Sequence, residues 1–275
     1  MDHALVLLAT GLLIGFIGTL IGAGGGFLLV PLLLFTHREL TPEIVTAVSL
    51  AVVACNALSG SIAYARSGRV DFKAGILFAL FTIPGSVLGV FLTEYIPTHI
   101  FSFVFGIILL LLAIFLFVRT KNQKTVTDTF SNQPHLTERT LTDKHNVTYH
   151  YAYNKYVGIL ISIMVGFISP LLGIGGGIIH VPAMVNWLSF PVHIATATSH
   201  FILAIMASIS VIVHAVRGNY NDSHILHLVV WLCVGVIAGA QGGAYFSHRV
   251  KNTFIVKALA VCLGIVGIRL LMSIA

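Results

Sequence analysis

Long apolar stretches separated by short polar breaks dominate the chain, falling near residues 4–35, 44–65, 74–92, 100–118, 156–188, 194–216, 224–246 and 253–273. Six of them have about the 20-residue length that carries an α-helix across ~30 Å of hydrocarbon. The first and fifth are too long, because about 32 residues at ~1.5 Å rise make a rod near ~48 Å, more than tilt absorbs. Each of these two contains a glycine run: Gly22-Ala23-Gly24-Gly25-Gly26 before Pro31, and Gly173-Ile174-Gly175-Gly176-Gly177 before Pro182. Consecutive glycines weaken a helix on every face at once. The pattern therefore predicts an all-α integral membrane protein of eight apolar segments in two homologous four-segment repeats, the first segment of each repeat being broken or re-entrant at its glycine run.

The repetition extends past the glycines. An offset of 150 aligns Thr46-Ala47-Val48-Ser49 with Thr196-Ala197-Thr198-Ser199, and Gly68, Gly85 and Gly89 with Gly218, Gly235 and Gly239. Such an ordered series of matches reads as an internal repeat. Residues 1–118 form one membrane repeat and 156–275 the other. Between them, residues 119–155 turn polar and basic, with Arg119, Lys121, Lys124, Arg139, Lys144 and Lys155 among Thr, Asn and His. This is a cytoplasmic linker, expected to be partly disordered. If segments one and five cross the membrane, the halves share one orientation; if they enter and return as hairpins, the halves are inverted. Both arrangements leave most Lys and Arg inside, so charge does not choose between them.

Composition agrees with the pattern: 57 % of residues are hydrophobic, 9 % are charged, and mean hydropathy is +0.98. The lipid bilayer is thus one partner. Met1-Asp2-His3 lacks the basic region of a signal peptide, so the first apolar run is expected to stay in the mature chain. The net charge of +6 sits in short loops, and nucleic acid is not expected as a partner. Cys55, Cys233 and Cys262 lie within apolar runs without metal-ligand spacing and read as small packing residues. A homo-oligomer is compatible with the sequence but not encoded in any motif.

A glycine break at membrane depth frees backbone amides that lipid cannot satisfy, so such breaks line cavities or substrate sites. A short helix is expected to start after each run, near Phe27 and near Ile178, with its first amides directed at the break. Helix starts favour anions, and glycine allows close approach and the φ > 0 conformations of an anion nest. The competing reading is helix packing on small residues, which suits Gly11-x3-Gly15 and Gly85-x3-Gly89 but not a triplet. No Asp or Glu lies deep in an apolar segment, so a cation pathway lacks its usual ligands and a small anionic substrate is favoured. The candidate binding groups are the backbone at Gly24, Gly25, Gly26 and Phe27, and at Gly175, Gly176, Gly177 and Ile178. Ser49 and Ser199 are candidate hydroxyl donors, unless each bonds back to its own helix. His200, which replaces Leu50 of the first half, is a candidate proton or anion acceptor, or else a structural histidine. No catalytic residue, metal ligand or cofactor is assigned. The alternative is a transition-metal permease or membrane metalloenzyme using His180, His200, His214 and His227.

The motif Gly15-x2-Gly18-x3-Gly22-x-Gly24-Gly25-Gly26-x4-Pro31, its partner from Gly166 to Pro182, and the Thr-Ala-x-Ser element after each closely resemble the TauE/SafE family of membrane transporters. The match covers nearly the whole chain apart from the linker. The resemblance implies an inner-membrane permease, not an enzyme, for sulfite, sulfoacetate or related organosulfonates. The second copy departs from the first, with Ser169-Pro170 in place of Gly18-Thr19 and His180 in place of Leu29.

Overall fold

The computed structural model describes residues 3–119, 136–144, 146–247 and 252–272. In chain order the elements are α1 (Ala4–Ile21), α2 (Gly26–Thr36), α3 (Pro42–Arg66), α4 (Phe72–Thr93), α5 (Thr98–Arg119), β1 (Leu136–Thr142), β2 (Thr148–Asn154), α6 (Lys155–Leu172), α7 (Gly177–Trp187), α8 (Val192–Val216), α9 (Ser223–Phe246) and α10 (Asn252–Met272). Among the described residues seven helices, α1, α3, α4, α5, α6, α8 and α9, are long and apolar enough to cross a membrane. Their outward faces carry large apolar side chains such as Leu13, Leu80, Leu111, Leu160 and Val234, as lipid contact requires. α3 is the most enclosed of them.

The two overlong segments are interrupted at their glycines. Gly22 (φ 81°) caps α1 and Gly173 (φ 67°) caps α6, each in the left-handed conformation that ends a helix without a Cβ clash. α2 and α7 are each 11 residues long, which at ~1.5 Å per residue is about half a membrane.

Helix pairing is set by glycine seams. Gly11 and Gly15 of α1 lie against the Leu232 and Val236 backbone of α9, and Gly235, Gly239 and Gly243 of α9 lie against Leu8, Leu12 and Phe16. Residue numbers rise together on both sides, so α1 and α9 run parallel. α4 and α6 do the same, with Gly85 against Gly166 and Gly89 against Phe167 and Leu171. α5 and α10 are antiparallel: Gly106 faces Gly267 and Leu271, and Gly264 faces Ala113. α3 and α8 pack on each other at the centre, where Val53, Ala57, Leu203 and Ala207 are buried together.

Ion pairs mark the two ends of the bundle. At one end Arg217, after α8, pairs with Glu43 of α3 at 3.3 Å and with Glu94 after α4. At the other, the Asp71 amide donates to Thr198 of α8 at 3.0 Å. That second end carries the linker. β1 and β2, where the sequence pattern predicts no element, pair antiparallel with Leu136 opposite Asn154 and Thr142 opposite Thr148. Its alternation is supplied by Tyr149, Tyr151 and Tyr153. Tyr151 and Tyr153 are buried and tilt against Phe190 at ring separations of 4.6 and 5.0 Å. Asp71 ties the hairpin down: its carboxylate accepts from Tyr151 Oη at 2.8 Å and pairs with Arg139 at 3.2 Å, while also capping α4. Burial, and next the Asp71 carboxylate, push the Tyr151 hydroxyl above its ordinary pKa, so it remains a donor. Arg69 pairs with Asp143 at 3.6 Å, and the Lys144 amide donates to the Ser67 carbonyl at 3.1 Å. His150 faces Thr140 on the hairpin, whereas His135 and His145 lie outside the described residues.

Candidate functional site

Both glycine breaks bend back toward the helices they leave. The Ala23 and Gly24 amides donate to the Gly18 carbonyl at 2.8 and 3.2 Å, and the Ile174 amide donates to Ser169 at 3.2 Å. Gly24 (φ 78°), Gly25 (φ 86°) and Gly175 (φ 70°) hold left-handed conformations that other residues reach only under strain. Within the described residues, the amides of Gly25, Gly26 and Phe27 have no backbone carbonyl as partner, and neither do those of Gly175, Gly176, Gly177 and Ile178. α2 and α7 start at Gly26 and Gly177, one residue before Phe27 and Ile178.

The two breaks also meet each other. A Cβ on Gly26 would stand 2.7 Å from the Ile174 carbonyl and against Gly173 O; one on Gly177 would stand 2.8 Å from Ala23 Cα and against Gly22 O. Only glycine permits this backbone-to-backbone contact. Ser49 stitches it, donating from Oγ to Gly173 O at 2.6 Å across 124 residues of chain. Its hydroxyl proton is therefore engaged with neither a ligand nor its own helix.

Beside this contact lies a narrow crevice, bordered by Thr82, Gly176, Gly177, His180, Ser199 and Met206 and too tight for a water molecule in this conformation. Ser199 Oγ is fully buried and has no hydrogen-bond partner. The same holds for Ser169 Oγ, which sits 3.3 Å from the Cβ position of Gly176. His180 is buried with Nε2 3.4 Å from Ser162 Oγ. A buried hydroxyl left unbonded costs about 1–3 kcal/mol, and two of them stand beside the free amides.

His200 lies elsewhere. Adjacent to Ser199 on α8, it faces α1 and α3, with its ring 2.8 Å from the Cβ position of Gly60 and edge-on to Tyr64. Its ring is directed toward the Gly22 carbonyl, and neither nitrogen reaches hydrogen-bond geometry. Tyr64 Oη donates to the Thr19 carbonyl at 2.7 Å, and Thr19 Oγ1 donates to Asn56 Oδ1 at 2.6 Å. Asn56 and Tyr64 escape the sequence reading, which names Thr19 and Ser169 only as a difference between the two copies, although a lone Asn within an apolar run was a visible signal.

The other histidines are dispersed. His214 Nδ1 lies 2.9 Å from Asn219 Nδ2 at the Arg217 end, and His227 lies beside Trp231. Among the described residues no three of His, Cys, Asp and Glu gather as a metal site would need.

Residues 7–270 match the family described as Sulfite exporter TauE/SafE. The chain is 33 % identical to the probable membrane transporter protein YunE of Bacillus subtilis, covering 97 % of this chain and 96 % of that protein. A probable membrane transporter protein of Methanocaldococcus jannaschii is 24 % identical, with 97 % and 95 % covered. Probable membrane transporter protein YdhB of Bacillus subtilis is 26 % identical, with 97 % and 98 % covered. No solved structure matches the chain.

Proposed function

The chain belongs to the TauE/SafE family and is a multi-pass membrane transporter, and from that premise we propose that it moves a small sulfur-containing oxyanion, such as sulfite, sulfoacetate or a related organosulfonate, by alternating access. The observation that carries the proposal is the meeting of the two glycine breaks beside buried, unpartnered hydroxyls. An anion there would accept from the Gly176, Gly177 and Ile178 amides and from Ser199 and Ser169. The starts of α2 and α7 each add ~0.3–1 kcal/mol, rising to ~2 when partly buried, so the hydroxyls are needed to offset desolvation of the ion.

The crevice has no room even for water in this conformation, so an ion enters only when one half moves against the other. In this reading each half contributes four segments, the first entering and returning as a hairpin. Parallel α1/α9 and α4/α6 pairs with an antiparallel α5/α10 pair support it, since segments that crossed outright would make α5 and α10 parallel. So does the pairing of Arg217 with Glu43 and Glu94, which would otherwise lie on opposite membrane faces.

Purified protein in liposomes is expected to carry sulfite or sulfoacetate down an imposed gradient. Absence of flux for these anions and other organosulfonates under every gradient overturns the proposal.

A further inference from the structure

The described space draws its donors from the second half, yet the first half has its own break with its own orphaned donor. Asn56 stands in the middle of α3, fully buried. Its Oδ1 accepts from Thr19 Oγ1 at 2.6 Å, which fixes the amide plane and turns Nδ2 away from Thr19. Nδ2 has no hydrogen-bond partner. It faces the bare side of Gly18: the Cβ position there lies 2.8 Å from Asn56 Nδ2 and 2.5 Å from the Gly25 amide nitrogen. The two nitrogens therefore lie close together over the Gly18 Cα, packed so tightly in this conformation that not even a Cβ fits between them. Once that packing loosens, one oxygen atom can receive hydrogen bonds from both, at ordinary N–H···O lengths of ~2.7–3.2 Å each.

The two halves arrange their donors reciprocally. The offset of 151 that aligns the glycine runs places Ser169 on Gly18, and the offset of 150 that aligns the following helices places Met206 on Asn56 and Ser199 on Ser49. In the second half α6, before the break, supplies Ser169, and α8 adds Ser199 but presents an apolar Met206. In the first half α1 is bare at Gly18 and α3 supplies Asn56. Each break keeps at least one buried side-chain donor without an acceptor beside free glycine amides.

We infer that Asn56 is a substrate-binding residue of a second oxyanion subsite, built with the Gly25 and Gly26 amides in the first half's break. The inference rests on the oxyanion-transport reading and deepens it. An amide N–H can only donate, and the amides of Gly25, Gly26 and Phe27 only donate as well. The subsite therefore selects a ligand whose oxygens accept from several directions, as those of a sulfite or sulfonate group do, and excludes metal cations. The second-half subsite, with serine hydroxyls, is less strict. The ion then has one resting place on each side of the central glycine contact.

Sulfite titrated into the purified full-length protein, read by ligand-induced thermal shift and by calorimetry, tests this. Asn56→Asp keeps the shape, and its Oδ1 still accepts from Thr19. It replaces the donor with a carboxylate that repels the anion. The expected result is sulfite affinity weaker by about tenfold or more, the loss of one hydrogen bond to a charged group, in a protein whose ligand-free melting temperature also falls because the carboxylate is buried without a cation beside it. Thr19→Val is the second variant: it frees the Asn56 amide to rotate without removing it, and is expected to weaken sulfite several-fold. Sulfite stabilisation of the unaltered protein with unchanged affinity in Asn56→Asp, or in Thr19→Val where Asn56→Asp does not fold, overturns the role of Asn56 and leaves the transport reading standing. No stabilisation of the unaltered protein by sulfite, sulfoacetate or thiosulfate overturns both.

Discussion

Gly177→Ala is the sharpest perturbation of the central contact. Gly177 begins α7 and does not hold a positive φ, so alanine suits its backbone and adds only one methyl group. That methyl would meet Gly22 O and lie 2.8 Å from Ala23 Cα and 2.9 Å from Gly22 C. All three are backbone atoms of a break that is itself pinned by the hydrogen bonds to Gly18, so no side chain can swing aside. Overpacking of this kind costs ~1–3 kcal/mol, and the upper part of that range applies where backbone must shift. Against it stands a gain of up to about 1 kcal/mol from replacing a helical glycine. The net expectation is a loss of ~1–2 kcal/mol. Gly264→Ala in α10 is the control, since its Cβ would find only Ala113 Cβ at 3.8 Å, an ordinary contact, and keep the propensity gain. At ~2–4 °C per kcal/mol for a chain of this size, the two variants should melt on the order of 5–10 °C apart in one detergent. Gly177→Ala should also abolish anion flux, because the halves no longer close on each other. A Gly177→Ala protein that melts with Gly264→Ala and transports normally refutes the backbone-to-backbone contact.

Other substitutions probe the surrounding scaffold. Asp71→Asn removes the carboxylate that holds Arg139 and caps α4; it should cost about 2–4 kcal/mol in thermal melting and speed tryptic cleavage within the linker, at Arg139 first. Tyr64→Phe removes one of the two donors to the Thr19 carbonyl, the Gly22 amide at 3.0 Å remaining, and a loss of about 0.5–1.5 kcal/mol in the same melting assay is expected. Ser49→Ala removes the bond to Gly173 O and should lower both stability and flux, whereas Ser199→Ala removes a hydroxyl with no protein partner, so it should weaken anion binding while leaving the ligand-free melt nearly unchanged. A single cysteine at Asn221 should react with an impermeant thiol reagent from the membrane face opposite to one at Lys144; labelling from the same face would exclude hairpin entry of segments one and five.

The membrane class and its long apolar helices were readable because hydrocarbon imposes a length on the segments that cross it. The pairing of those segments was not, since it depends on which glycines face which backbone: Gly11 and Gly15 mark a seam in the sequence but do not name α9 as its partner. Ser49 and Ser199 look equivalent in Thr-Ala-x-Ser, and only packing separates a hydroxyl spent on Gly173 O from one with no partner. His200 was legible as unusual, but its direction off α8, away from its neighbour Ser199, follows from helix rotation that periodicity in a wholly apolar segment does not encode. The hairpin was hidden because its apolar strand face is made of tyrosines within a polar stretch.

The parallel pairing of α1 with α9 carries a consequence for biosynthesis. Gly15 faces Val236, so α1 finds its partner only after roughly 220 further residues have been made. At ~5–20 residues per second that is on the order of ten seconds or longer in the bilayer with a glycine seam uncovered. α4 waits likewise, though more briefly, for α6. Neither half can bury its own seams, so the chain is assembled by exchange between halves rather than by completing one and then the other. A first half released alone would be expected to associate with a second copy of itself, since that copy offers the nearest substitute for the missing helices.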